Sequence, residues 1–327
     1  MPKTKAATTQ TGAAARARHR APTRVGMLGL GIMGSAMGAN LIQAGFAVVG
    51  FDPRPGARRQ LERAGGQAVS SMAEVARSAS VLLVSLPSAQ ALDEATHALQ
   101  QHARRGTVVI ETSTLALPDK QRAHDALAQA GVVLLDCPLS GTGAQAVNKD
   151  LTVYGSGDTR ALRRVRPVLQ GFSHTQFDLG AFGNGMRMKL MANLLVAVHN
   201  VAAAEALLMG EAMGIDPALA VQVLQGGAGG SRMLQVRGPM MAKRGWRQAT
   251  MKLDVWHKDM TLIAQALAQT HVAAPTFAAT QPVYHAAIGL GHAKHDTGAV
   301  YNVLAAMSGH ALTAAPRSGR RQRAGSK

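Results

Sequence analysis

Val25-Gly26-Met27-Leu28 runs straight into Gly29-Leu30-Gly31-Ile32-Met33-Gly34, and the reading of these ten residues decides the fold. A short aliphatic run meets a G-x-G-x-x-G spacing, and a helix-favouring segment opens near Ile32. In a strand–turn–helix unit the three glycines have separate uses. The first permits a tight turn, the second lets a pyrophosphate approach the backbone, and the third lets helix pack closely on strand. Free N–H groups at the helix start, with the positive end of its dipole, then face the phosphates. Glycine makes up 35 of the 327 residues, so the spacing alone is weak and its context carries it. That context is a second run, Ala47 to Asp52, which ends in an acid about twenty residues on, where a carboxylate accepts hydrogen bonds from an adenosine ribose. Gly29, Leu30, Gly31, Ile32, Met33, Gly34 and Asp52 are therefore candidate cofactor-binding residues. Asp52 favours NAD, because a carboxylate repels a 2′-phosphate. Arg54, Arg58 and Arg59 leave NADP open, since arginine accepts that phosphate.

Working outward, further aliphatic runs stand at Val81–Leu86, Val108–Glu111 and Val132–Asp136, with Leu151–Tyr154 following. Ala-rich helical stretches separate them. Continuous aliphatic runs parted by helices predict a buried parallel sheet, and right-handed crossovers make it doubly wound. After Gly183-Asn184-Gly185 the pattern changes. Met186–Met213 reads as one long helix, Gly214 suits its C-cap, and Asp216-Pro217 suits the N-cap and first turn of the next. The remainder, to about Thr313, reads as helices with glycine-rich joints near Gly226–Gly230 and Gly289–Gly291. The predicted architecture is α/β: an N-terminal Rossmann domain (24–184), then a long interdomain helix opening an all-α C-terminal domain (185–313). A ligand cleft is expected at the junction.

Composition bounds the class. Hydrophobic residues make up 47%, which excludes a wholly disordered chain. Aromatics are scarce, so cores must be built from Ala, Leu, Val and Met. The longest apolar stretches, such as Leu190–Val198, are too short to span a bilayer, and no secretory apolar region opens the chain. Cys137 is the lone cysteine, so no intrachain disulfide forms, and a reducing cytoplasm is expected. Of the net charge of +17, residues 1–24 carry +6 and the last eleven carry +5. Segments 1–23 and 314–327 are read as disordered basic tails. Such tails can bind phosphate charge without reading sequence; the plainer reading is solubilisation, and neither nucleic acid nor membrane is expected as a partner. The twelve histidines include no H-E-x-x-H pair or zinc spacing, so no metal is expected. Cys137, beside Pro138 with no evident base, reads as a packing residue.

Lys189 and Asn193 lie four residues apart, so both project from one helical face. A desolvated lysine can exchange a proton near neutral pH, and an amide beside it can position a hydroxyl without adding charge. By pattern alone, the pair reads equally well as a surface lysine and a first-turn asparagine.

From about Arg24 to Ala311 the chain resembles the β-hydroxyacid dehydrogenases, relatives of 3-hydroxyisobutyrate dehydrogenase and tartronate semialdehyde reductase. The resemblance rests on separated motifs in order. They are Gly29–Met37 with Asn40-Leu41, Leu86-Pro87, Thr112-Ser113-Thr114 with Pro118, Asp136-Cys137-Pro138-Leu139-Ser140-Gly141, Gly183-Asn184-Gly185 with Lys189 and Asn193, Lys258-Asp259, and Asp296 with Ala299-Val300. It implies hydride transfer between NAD(P) and a small hydroxy-carboxylate, in either direction between a 3-hydroxyacid and a semialdehyde or oxo acid. It implies Lys189 as general acid/base and Asn193 as a substrate-positioning residue. Ser140, Gly141, Thr142 and Lys258 would bind substrate, and Leu86, Pro87, Thr114 and Lys258 would join the cofactor set. A homodimer or homotetramer is implied. Two departures stand out: Thr142 replaces the family's usual second glycine, and Ala192 its usual asparagine. Thr142 adds bulk and a hydroxyl beside the expected carboxylate site. Two rival readings are an imine reductase-like enzyme, which Lys189 opposes, and a non-enzymatic dinucleotide scaffold with nucleic-acid-binding tails.

Overall fold

Every aliphatic run that opens the chain becomes a buried strand, because helices cover both faces of the sheet they form. The computed structural model describes residues 23–312; apart from Thr23, the two tails lie outside the described residues. The strands are β1 (Arg24–Leu28), β2 (Ala47–Phe51), β3 (Gln67–Ala68), β4 (Val81–Val84), β5 (Val108–Glu111) and β6 (Val133–Asp136). They pair in parallel in the order β3-β2-β1-β4-β5-β6. The order reverses between β1 and β4, and at such a switch point the strand carboxyl ends open a ligand crevice. Connecting helices are α1 (Ile32–Gln43), α2 (Pro55–Arg63), α3 (Met72–Ser78), α4 (Ala89–His102) and α5 (Leu117–Gln129).

Side chains alternate across the sheet as the strand pleat requires. Met27, Leu83, Ile110 and Leu135 pack on one face with Leu41 of α1. Leu28, Leu82, Val84 and Leu134 pack on the other with Val75, Leu92, Leu99 and Leu127. Gln67-Ala68 is too short to carry a pattern and was not legible as a strand.

The run Leu151–Tyr154 takes a different place from the earlier ones. It enters a second, three-stranded sheet as β8 (Thr152–Gly155), antiparallel to β7 (Leu139–Ser140) and parallel to β9 (Thr175–Asp178). Pro138 is the physical divider, having no N–H to continue a ladder from β6. The two sheets meet through the antiparallel bridge Asp136–Ser156. Between these strands lie α6 (Gly143–Val147) and α7 (Thr159–Phe172); Val165 and Leu169 of α7 close the first core.

Gly183, at φ +90°, turns the chain into α8 (Asn184–Ala212), a 29-residue helix. Around it pack α9 (Pro217–Leu224), α10 (Arg232–Ala242), α11 (Leu253–Thr270), α12 (Pro275–Ala287) and α13 (Val300–Met307). Ala197, Val201, Ala204, Leu207 and Leu208 recur on its inner face at helical spacing and meet Trp256, Met260, Phe277, Tyr284 and Tyr301. Asp216 caps α9 by accepting the Leu219 N–H at 3.1 Å, with Pro217 in the first turn. Among the described residues α8 alone is long and apolar enough to cross a membrane. It also buries Lys189, Asn193 and Asn200, and Asn200 donates to Tyr284 Oη and the Thr297 carbonyl, both at 3.0 Å. Those are the contacts of a core helix.

Close approach at the β1–α1 turn supplies a stability test. A Cβ on Gly34 would stand 2.1 Å from the Gly29 carbonyl oxygen, whereas one on Gly31 would meet nothing nearer than Arg54 Nη2 at 3.8 Å. Gly34→Ala is expected to cost about 3 kcal/mol or more of unfolding free energy in a denaturant titration. Gly31→Ala should cost no more than about 1 kcal/mol, the loss of a preferred cap residue.

Candidate active site

The site is assembled where the sheet's carboxyl edge meets α8. In the β1–α1 turn Gly29 adopts φ +90°, and a Cβ there would lie 2.1 Å from the Ser85 carbonyl oxygen. Gly29 and Gly34 are thus closed against protein backbone. The space at Gly31 is open, and Gly31 caps α1 without a side-chain hydrogen bond. Uncapped N–H groups at the start of a twelve-residue helix, beside open space, fit a dinucleotide pyrophosphate. Leu30 is buried, Met33 half-buried, and Ile32 exposed on the rim of the turn.

Asp52 follows β2 as the spacing predicts, but its carboxylate is not open. Oδ2 accepts the Leu30 N–H at 2.9 Å and Arg54 Nη2 at 3.0 Å; Oδ1 accepts the Arg54 N–H and Nε, both at 2.9 Å. A carboxylate offers about four lone-pair directions, and here all are used. Burial pushes the Asp52 pKa up, and the bonds from Arg54 and Leu30 more than offset it, so the carboxyl is held below its ordinary value. Arg58 adds a bond from Nη1 to the Asp52 carbonyl at 2.7 Å. At this edge the exposed groups are guanidinium, not carboxylate.

The ends of β4 and β5 are tied together. The Leu86 N–H donates to Ser113 Oγ at 2.8 Å, and Pro87 stands exposed beside it. One residue beyond Ser113, the Thr114 carbonyl accepts Lys258 Nζ at 2.6 Å. That bond spans 144 residues and brings α11 against the loop after β5.

Lys189 and Asn193 project from one buried face of α8, as their spacing predicts. Asn193 Nδ2 donates to Asp259 Oδ2 at 2.9 Å. The other Asp259 oxygen, Oδ1, has no hydrogen-bond partner and lies 3.8 Å from Lys258 Nζ. Lys189 is 9% exposed. Burial pulls its ammonium below the ordinary lysine range; the Asp259 charge opposes that shift and Lys258 adds to it. Burial likewise raises the Asp259 carboxyl, against the pull of Lys189, Lys258 and Asn193. The four side chains Lys189, Asn193, Lys258 and Asp259 form one electrostatic group at the mouth of the helical half.

Ser140 ends β7 and the turn after it contains Gly141 and Thr142, all three half-buried. Gly141 has φ +136°, and a Cβ there would strike Leu151 Cδ2 at 2.6 Å. Thr142 is extended at φ −96°, a conformation open to any residue, and caps α6. Its N–H and Oγ1 both point to Gln145 Oε1, at 3.0 and 3.3 Å. A Cβ on Gly143 would meet Ile32 Cγ2 at 2.5 Å, so this turn packs on the glycine turn. Among the described residues no group of three or more His, Cys, Asp or Glu side chains is arranged to hold a metal.

Two features escaped the motif reading. The Lys258-Asp259 motif gave Asp259 no partner, and its bond to Asn193 spans 66 residues. A buried ion triad, Glu111, Lys120 and Asp136, lies beneath the site. Helical spacing gave a signal for Lys120, which shares a buried face of α5 with Ala123 and Leu127. A charged residue on that face needs buried partners.

This geometry defines a dinucleotide-binding α/β protein with a buried lysine on the helix after the sheet. A family profile described as the NAD binding domain of 6-phosphogluconate dehydrogenase matches residues 24–206. A second, described as NAD-binding of NADP-dependent 3-hydroxyisobutyrate dehydrogenase, matches residues 183–304. The chain is 32% identical over 295 residues to the "Probable 3-hydroxyisobutyrate dehydrogenase" of Mycobacterium tuberculosis, covering 87% of this chain and 98% of that one. It is 28% identical over 289 residues to the L-threonate dehydrogenase of Haemophilus influenzae, covering 87% and 96%. The solved structure of Mycobacterium tuberculosis 3-hydroxyisobutyrate dehydrogenase with L-serine superposes with a TM-score of 0.79 at 30% identity, covering 86% of this chain and 99% of that one. The chain belongs to the β-hydroxyacid dehydrogenase family and is an NAD(P)-dependent oxidoreductase.

Cys137 gives a direct check on the packing under the site. It is fully buried, and burial, with the Asp136 charge, pushes its thiol far above the ordinary range. A thiol reagent is expected to leave the native protein unmodified and to label one cysteine per chain after denaturation. Rapid labelling of native protein would contradict the packing described.

Proposed function

We propose that this chain oxidises a small hydroxy-carboxylate, or reduces the corresponding semialdehyde or oxo acid, with Lys189 as the general acid/base. The observation that carries the reading is the buried Lys189 ammonium, held below its ordinary range next to the Asn193–Asp259 pair. Similarity to enzymes named for 3-hydroxyisobutyrate and L-threonate supports the substrate class.

In the oxidation direction NAD(P)+, when bound, would supply the acceptor for the hydride that leaves the carbinol carbon. As the carbinol C–H bond breaks, the hydroxyl proton passes to neutral Lys189 Nζ, and the carbon–oxygen bond becomes a carbonyl. Reduction runs the same path backwards, with the Lys189 ammonium returning the proton. Asn193 spends one amide N–H on Asp259 and keeps a second N–H and a carbonyl oxygen for the substrate. Asp259 thereby fixes the amide's orientation. The substrate carboxylate is assigned to Ser140, the Gly141–Thr142 backbone and Lys258; Thr142 spends its hydroxyl on Gln145 and adds its methyl to the pocket wall. Gly29, Leu30, Gly31, Ile32, Met33 and Gly34 would hold the pyrophosphate, and Asp52 with Arg54 the adenosine ribose. Leu86, Pro87 and Thr114 would line the nicotinamide side.

Residues 24–184 are taken as the cofactor-binding unit and 185–313 as the helical unit, a division supported by the change of pattern at Gly183. The exposed apolar residues Met191, Leu195 and Met209 along α8 support a homodimer or homotetramer. The buried, unpaired Cys137 accords with the reducing cytoplasm.

Two experiments test these roles. Following NADH absorbance over a panel of small 2- and 3-hydroxy acids, Lys189→Ala is expected to lower kcat about 10³-fold, with cofactor Kd little changed. Since the neutral amine is the active form in oxidation, kcat/KM for the hydroxy acid should rise with pH as Lys189 loses its proton. For reduction it should fall through the same pH range. A folded Lys189→Ala enzyme with wild-type turnover would remove the lysine from the mechanism.

Arg54 is assigned to cofactor choice. It occupies Asp52 and offers a guanidinium where a 2′-phosphate would lie. Arg54→Ala exposes the carboxylate and should shift the NAD/NADP ratio of kcat/KM toward NAD by about tenfold or more, the worth of one charge-assisted hydrogen bond. An unchanged ratio would sink that assignment.

A further inference from the structure

Glu111 ends β5, Asp136 ends β6, and Lys120 reaches them from α5; all three side chains are wholly buried. Lys120 Nζ stands 2.8 Å from Glu111 Oε2 and 2.5 Å from Asp136 Oδ1. Three buried ions are a poor source of stability, because desolvation cancels most of their attraction, and well-packed apolar side chains often do as well. What sets this triad apart is where the second oxygen of each carboxylate goes.

Glu111 Oε1 accepts the Ser113 N–H at 2.8 Å. Ser113 in turn accepts the Leu86 N–H, and its neighbour Thr114 receives Lys258. Glu111 therefore holds the loop assigned to the nicotinamide side. Asp136 Oδ2 accepts the Met186 N–H at 2.7 Å and Ser156 Oγ at 3.2 Å; Ser156 Oγ accepts the Gly185 N–H at 2.9 Å. These are the orphan donors of the first turn of α8, whose own cap residue, Gly183, has no side chain to offer. A Cβ on Gly185 would lie 2.3 Å from the Tyr154 carbonyl oxygen and 2.7 Å from that of Asp136, so the turn has no slack. Lys189 follows Met186 by three residues, one turn along the same helix. Lys120 is thus a side-chain bridge, beside the β5–β6 backbone ladder that pairs Glu111 with Asp136, between the loop assigned to the cofactor and the turn that sets the height of Lys189.

We propose that Glu111, Lys120 and Asp136 form a positioning element for hydride transfer, fixing the post-β5 loop and the first turn of α8 in one register. The proposal rests on Lys189 as the proton-exchanging group. None of the three touches substrate; each acts through the backbone it holds.

The test is the double variant Glu111→Gln/Lys120→Met, which removes the bridge and its opposing charge. An amide oxygen remains for the Ser113 N–H, and the Asp136 carboxylate remains for the Met186 N–H. The buried Asp136 loses its counter-ion, so the melting temperature falls; in the folded variant, with NAD Kd close to wild type, kcat is expected to fall about tenfold or more, since misplacement of reacting groups by about 1 Å is costly. KM should move less than kcat. The primary deuterium isotope effect on kcat should grow as hydride transfer becomes limiting, and the pH midpoint governed by Lys189 should shift. Asp136→Asn is the second route and is expected to give the same signature. A folded variant of either kind with wild-type kcat and isotope effect overturns the proposal. Loss of kcat that merely tracks the folded fraction, or failure of both variants to fold, assigns the triad to stability alone and also overturns it. Lys189→Ala retaining activity would instead refute the underlying mechanism, so the two failures are distinguishable.

Discussion

The active geometry depends on how α8 is seated. Its first turn donates to Asp136, the last residue of β6, and to Ser156, the residue just after β8, which also bridge each other. A long helix is straight and stiff, so anchoring its N-terminus places every residue along it. Lys189 and Asn193 inherit their positions from β6 and β8 in this way, and Ala197 and Val201 carry the same axis into the helical core. An error of one residue in that seating would rotate the lysine off the site by about a quarter-turn of the helix.

Burial then decides the chemistry. Taking an ion out of water disfavours its charged form, and the helical half does this to Lys189 and Asp259 together. Each charge opposes the other's shift, so the lysine is held below its ordinary range by burial while Asp259 accepts from Asn193. Lys258 approaches from the same helix as Asp259 but spends its ammonium on the Thr114 carbonyl, adding positive potential where an anionic substrate would enter. The deeper triad is different. Lys120 lies between two carboxylates that hold it above the ordinary lysine range despite complete burial. Burial pulls one lysine below its ordinary range, and paired carboxylates hold the other above it. Their surroundings, not their residue type, make the difference.

The fold was largely legible in the sequence. The order of aliphatic runs, the glycine spacing and the Asp216-Pro217 helix start each became the element they predicted, because short-range sterics and the burial of continuous apolar strands govern them. The same applies to Lys189 and Asn193, whose common face follows from helical period. Legibility failed where partners are distant. The run at Leu151–Tyr154 looks like its predecessors and joins a separate sheet, since its strand partners, β7 and β9, are chosen by tertiary pairing. That Arg54 folds onto the Asp52 carboxylate was equally hidden in the sequence.

Sequence by itself therefore determined the strand–turn–helix frame, the cofactor class, the long helix and the shared helical face of Lys189 and Asn193, all set by period, spacing and backbone freedom within short stretches. Tertiary structure alone decided that Asp259 meets Asn193, that Lys258 crosses to Thr114, and that Lys120 joins two strand ends beneath them. Those contacts bridge 66, 144 and up to 16 residues respectively. Which buried charges become partners depends on how the sheet and helices pack together, and no local pattern encodes that.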